Sequence, residues 1–221
     1  MKKISWKLIA AFVCSSFLSG TAQAVLIDFE SFPGMDNFPG TAIPSTSQIS
    51  DQFLNSDGVL FSSHNSPFIA AVNLGTGHAT SGVIGVGGST GIGELTYAGY
   101  FFKATFYDPT NPLIKAVTDF VSIRTDLLAI NQLLRLEAYD VNGNQLWIDQ
   151  QVDIGGNLFS ATVSGIHSVA FFGETTTALD DFSFNAVTPA NVPLPPAVWL
   201  FGTGFLGLMS FTRKNKFHAC S

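Results

Sequence analysis

Between Val25 and Ala190 the chain contains no cysteine, only four basic residues and no stretch with a convincing helical period. Cys14 and Cys220 both lie outside that span, so the missing thiols exclude a disulfide framework, cysteine-ligated zinc and thiol redox chemistry. Histidine does not replace them, because His64 and His78 are fourteen residues apart and neither has a second ligand at zinc-site spacing. The few cations, Lys103, Lys115, Arg124 and Arg135, stand against sixteen acidic residues in the same span, a net charge of −12 that the whole-chain value of −6 conceals. Such a surface repels phosphate backbones and anionic lipid, so no nucleic-acid partner is expected, whereas divalent cations are attracted. Stability has to come from packing, with a bound metal as the available supplement.

What is there instead is strand-forming sequence. The expected strands are Leu26 to Glu30, Val59 to Ser62, Phe68 to Val72, Tyr100 to Tyr107, Phe120 to Arg124, Leu133 to Tyr139, Gln145 to Asp149, Phe159 to Val163, Ser168 to Phe172 and Leu179 to Phe184. They are short, rich in Val, Ile and Phe, and separated by Gly, Asn, Pro and Asp. Leu134, Leu136 and Ala138 alternate with Arg135, Glu137 and Tyr139, the pattern of a strand with one face in the core. The fold class that follows is all-β: an antiparallel β-sandwich, jelly-roll-like, in one domain over residues 25–190. Leu74 to Gly93 holds eight glycines and predicts mobile loops around one strand near Val83 to Val86. Asn142-Gly143 predicts a tight primed turn joining Leu136 to Tyr139 with Gln145 to Asp149.

The two ends carry an address. Lys2, Lys3 and Lys7 precede the apolar Leu8 to Leu18, and Ala22-Gln23-Ala24 has the small-x-small pattern that signal peptidase cuts after, so residues 1–24 predict a signal peptide for the Sec machinery and a mature start at Val25. At the other end a proline-rich linker, residues 191–196, leads into an apolar segment and then a basic tail, residues 213–221. The uncharged run from Ala197 to Phe211 rises ~22 Å as a helix against a hydrocarbon core of ~30 Å, so the predicted single transmembrane helix, residues 197–212, is a short span. Arg213, Lys214 and Lys216 beyond it predict a cytoplasmic C-terminus and an exported domain.

The stretch VPLPPAVWLFGTGFLGLMSFTRKNK, residues 192–216, resembles the PEP-CTERM sorting segment of Gram-negative bacteria that make extracellular polysaccharide. The resemblance implies that exosortase, a membrane transpeptidase, recognises Pro193, Leu194 and Pro195, with Arg213 and Lys214 closing the signal, and cuts near the prolines. Leucine stands where the family's name-giving glutamate would be, and FHACS extends past the basic cluster. The exported region also resembles β-sandwich proteins that carry this tail, through IDFE at Ile27 to Glu30, GVLF at Gly58 to Phe61, LEAYDVNGNQL at Leu136 to Leu146 and ALDDFSF at Ala178 to Phe184. That likeness implies a carbohydrate-binding module without a catalytic signature, delivered to the cell surface or an exopolysaccharide matrix.

Several constellations are candidates for chemistry. Asp28 and Glu30 flank Phe29 on the expected first strand and share a face, and Asp180 and Asp181 open the expected last strand, which in jelly rolls runs beside the first; together they predict a structural Ca²⁺ site. Asp140-Val-Asn142-Gly143-Asn144 is not a calcium loop, because its glycine falls early and Gln151 occupies the place of the bidentate glutamate. Gly87-Gly88-Ser89-Thr90-Gly91 matches GxSxG but lacks the following helix of a nucleophile elbow, so it reads as a flexible glycine loop. Trp147, Tyr97, Tyr100, Tyr107 and Tyr139 are candidates for a sugar-stacking platform, although most of the aromatic complement, 21 phenylalanines, is core filling. The expected function is non-catalytic binding or organisation of glycan in a biofilm. Its rivals are a hydrolase using Glu137 and Asp149 as paired carboxylates, and an ice-contacting surface protein using Thr175 to Thr177.

Overall fold

The computed structural model describes residues 24–34, 43–64, 66–89, 95–96, 99–173 and 177–190. The expected signal peptide, apart from Ala24, and the expected sorting segment, Pro193, Leu194, Pro195, Arg213 and Lys214 included, lie outside the described residues. Fourteen strands form among those described: β1 Ala24–Ile27, β2 Gln48–Ile49, β3 Val59–Ser62, β4 Ile69–Asn73, β5 Ile84–Ser89, β6 Leu95–Thr96, β7 Gly99–Asp108, β8 Asn111–Thr125, β9 Leu133–Tyr139, β10 Gln145–Val152, β11 Leu158–Ile166, β12 Ser168–Gly173, β13 Leu179–Asn185 and β14 Thr188–Pro189. The one helical element there is a 3₁₀ turn at Ser45–Ser47, and no helix among the described residues is long and apolar enough to cross a membrane.

Among the described residues the fold is all-β, and every strand pairing is antiparallel. One ladder runs β10-β9-β12-β7-β3. A second runs β11-β8-β13, continues through β5 and β4 to β2, and takes β1 along the other half of the β13 edge. The register of β1 on β13 sets Ala24 opposite Asn185 and Ile27 opposite Phe182, so the two ends of the described chain lie side by side. The β7–β8 hairpin, Tyr107 opposite Lys115, carries the chain from the first ladder to the second.

Phenylalanine rings connect the ladders. Phe61 of β3 meets Phe182 of β13 with ring centroids 5.4 Å apart, Phe102 of β7 meets Phe182 at 5.6 Å, and Phe106 of β7 meets Phe184 of β13 at 5.1 Å. All five rings are fully buried, and each well-oriented pair adds about 0.5–1.5 kcal/mol beyond its area. Strand alternation delivers them: in β13, Phe182 and Phe184 are buried while Ser183 between them is half-buried.

Two local expectations are corrected. The strand expected near Val83 to Val86 is β5, and the correction is to its length, because it runs on to Ser89 with every residue buried where a glycine loop was expected. A Cβ on Gly85 would lie 2.6 Å from Leu74 Cδ1 and 3.1 Å from the Leu179 carbonyl oxygen, so glycine here admits neighbours that a side chain would exclude. The Asn142-Gly143 connection is not the two-residue primed turn, since only Gly143 has positive φ, at 83°. Gly143 N–H donates to the Asp140 carbonyl at 3.1 Å and Asp140 N–H to the Asn144 carbonyl at 2.9 Å, which is a longer turn closed by a glycine bulge.

Candidate functional site

Residues paired directly across an antiparallel ladder share a face. Lys103 pairs with Ser62 and Ala170, Ala170 with Glu137, and Glu137 with Ile148, so those five residues form one row on the outer face of the first ladder. The next row holds Tyr100, Phe172, Arg135 and Gln150, and the row on the other side Thr105, Ser168, Tyr139 and Gln145. The opposite face takes the buried Leu134, Leu136, Ala138, Val169 and Phe171. Ala170 and Ser168 are small residues set among long ones. The result is a cleft of about 290 Å³, floored by them, with Tyr100, Tyr139, Lys103 and His64 around it and Ser63 and Gly143 at its ends.

A buried polar network stiffens one wall. Glu137 is only 5% exposed, yet it carries a carboxylate. Arg135 Nε approaches Glu137 Oε1 to 2.6 Å, an ion pair whose N–H is not aligned for a hydrogen bond. Tyr100 Oη donates toward Glu137 at 3.0–3.1 Å, Arg135 Nη2 donates to Tyr100 Oη at 2.9 Å, and Tyr139 Oη donates to Glu137 Oε2. The guanidinium also lies over the Phe172 ring, 4.3 Å from its centroid, and over Tyr100 at 5.6 Å. Burial first, and the bond to Glu137 second, push the Tyr139 phenol well above its ordinary range, so it stays a neutral hydrogen-bonding group. The arrangement presents fixed aromatic faces and polar edges around a hollow, which is what a ring bearing hydroxyls requires.

The four residues expected to hold calcium sit elsewhere. β1 ends at Ile27, Phe29 takes φ 60° and Glu30 begins a turn, so Asp28 and Glu30 do not share a strand face as expected. Asp28 Oδ1 accepts the Glu30 N–H at 3.2 Å, and Glu30 Oε1 accepts the N–H groups of Val83 at 3.0 Å and Ile84 at 2.8 Å. Asp180, fully buried, accepts from Ser81 N–H at 2.8 Å, Thr80 Oγ1 at 2.9 Å, Ser81 Oγ at 3.2 Å and Asp181 N–H at 2.8 Å. Burial raises its pKa, and these donors oppose that. Asp181, at φ 51°, shares the Thr80 hydroxyl at 3.0 Å. Glu30 and Asp180 thereby hold opposite ends of residues 80–84. Among the described residues no group of three or more His, Cys, Asp or Glu side chains is placed to hold a metal ion.

The other candidates divide. Tyr100 and Tyr139 come together; Tyr107 instead packs edge-on against His167 at 5.9 Å, and Tyr97 lies outside the described residues. Trp147 pairs with Ala138, hence on the opposite face, and donates Nε1–H to the Ser160 carbonyl at 3.1 Å. Asp149 pairs with Leu136, so it lies on the face opposite Glu137, and accepts the Ser160 N–H at 2.9 Å. Ser89 of the GxSxG match is buried in β5, while Thr90 and Gly91 are outside the described residues, as are Thr175 and Thr176. Lys103, Ala170 and Ser168 were invisible as site residues, because the hollow is made by small side chains between strands distant in sequence.

No protein-family model matches the chain, and no curated protein matches it. Among solved structures it is similar to the enzymatically active domain of tailspike protein 4 of bacteriophage CBA120, at 13% identity and a TM-score of 0.26. That match covers 66% of this chain and 21% of the tailspike chain, so the chain spans about a fifth of that structure.

Proposed function

We propose that the chain is an exported protein that binds glycan non-catalytically at the cell surface or in an exopolysaccharide matrix. In this reading the two ladders are the layers of a jelly-roll-like sandwich. Residues 197–212 anchor it transiently as a transmembrane helix, and exosortase acts at Pro193, Leu194 and Pro195 after signal peptidase has removed residues 1–24. The observation that carries the binding half is the cleft over Ala170 and Ser168, with Tyr100 and Tyr139 braced by Arg135 and Glu137. Ala170→Leu fills the hollow from its floor and Tyr139→Ala removes a wall. Both variants should lose retention on a glycan array that the parent chain shows, and unchanged retention by both would sink the assignment of the cleft.

The address is tested separately. Mass spectrometry of the mature protein should find Val25 at the start and an end near Pro195; a chain still ending at Ser221 would remove exosortase from the reading. Structural calcium at Asp28, Glu30, Asp180 and Asp181 belongs to the same proposal, supported by their oxygen donors and the net −12 of the region. It requires a melting point that rises with Ca²⁺ in the parent and not in Asp180→Ala. A hydrolytic mechanism would require a second carboxylate facing Glu137, and a reducing-sugar assay on exopolysaccharide separates it from plain binding.

A further inference from the structure

The cleft coincides with a break in the charge pattern. Of the four cations between Val25 and Ala190, Arg135 is engaged by Glu137 in the one ion pair among the described residues, and Arg124 points to the Gly156 carbonyl at 3.5 Å. Lys103 is exposed in the row beside Ala170, lines the cleft and has no carboxylate partner among the described residues. Lys115 Nζ donates to the Val141 carbonyl at 3.0 Å, at the tip of the hairpin whose Gly143 closes the cleft. Burial first, and after it the positive charges of Lys115 and Lys103, lower the His167 pKa, against the opposing bond to the Ala116 carbonyl. The carboxylates facing them are occupied: Glu137 by Arg135 and two phenols, and Asp140 by the N–H groups of Asn142 and Asn144 and the Asn144 side chain.

We propose that the cleft selects an acidic sugar, setting the carboxylate of a uronic-acid residue on Lys103 with the sugar ring against Tyr100 and Tyr139. This rests on the glycan-binding reading of the same cleft and names its ligand class. A neutral ring would leave the ammonium without a partner. An anionic polymer also meets repulsion over most of a region carrying net −12, so it has one place to settle. That repulsion fades beyond a Debye length of about 8 Å at physiological salt, so distant carboxylates do not bar a direct contact at Lys103.

The test is affinity electrophoresis and calorimetry of the full chain in detergent with polygalacturonate, dextran and dextran sulfate. Polygalacturonate should bind, Lys103→Gln should weaken it about fivefold, as expected for an exposed ion pair, and Lys103→Arg should restore it. Binding of dextran alone, or of dextran sulfate without polygalacturonate, overturns the uronate assignment and leaves glycan binding standing. Equal affinity of Lys103→Gln and parent for polygalacturonate also overturns it. Absence of binding to all three removes the glycan reading along with it.

Discussion

Asp126 is only 1% exposed and receives the N–H groups of Leu128 at 3.1 Å and Ala178 at 2.9 Å. Burial pushes its pKa up to about 6, with the neighbouring charge of Asp153 adding to the rise. Asp153 is itself fully buried, and its Oδ2 has no hydrogen-bond partner among the described residues. A carboxyl that holds its proton more tightly when folded stabilises the fold below its unfolded pKa and loses that advantage as pH rises through the folded value. The melting temperature of the parent should therefore fall between about pH 4 and pH 6 relative to Asp126→Asn, in which this component is absent; parallel curves would show that Asp126 does not titrate in that window. Gly82 tests a different constraint. It sits at φ 51° with the Glu30 carboxylate lying where a Cβ would be, so Gly82→Ala meets both left-handed strain and displacement of Glu30 from Val83 and Ile84. The expected loss is about 2 kcal/mol, read as a lower denaturation midpoint.

The β9–β10 hairpin shows what strand chemistry makes legible and what it hides. Gly143 holds φ 83° with nothing near its absent Cβ, so Gly143→Ala should cost about 1 kcal/mol by conformation alone and leave the β9 register in place, checked by denaturation and by unchanged amide-exchange protection in β9. Strands β3 and β9 coincide with their sequence readings because their apolar residues alternate or run unbroken between turn residues. The first half of β8 was missed, since Asn111 to Lys115 is exposed and carries a proline, a sequence that reads as a loop until the β7 hairpin pairs it. Two-residue strands such as β2 and β14 leave no periodic signal at all. The site was legible only in its chemistry: Tyr100, Tyr139 and Glu137 stood out as residue types. Their grouping depends on β12 lying between β7 and β9, a register no local pattern encodes.

Across the whole molecule the two ladders depend on shared rings. Phe182 touches Phe61, Phe102 and Phe184 at centroid distances of 5.4, 5.6 and 5.5 Å, so Phe182→Ala removes ring contacts between the two ladders. It should cost about 3–5 kcal/mol, against a total of about 5–15 kcal/mol for an ordinary domain, and be seen as a large drop in urea midpoint; a midpoint within error of the parent would mean the ladders are held together elsewhere. Chain connectivity sets a further condition through β1, whose hydrogen-bonding partner is β13. A polypeptide emerges from a ribosome or a translocation pore with its N-terminus leading. Val25 to Ile27 must then wait for their β1 pairing until Leu179 to Asn185 has followed some 150 residues later. The clasp shuts late, once both of its halves have emerged.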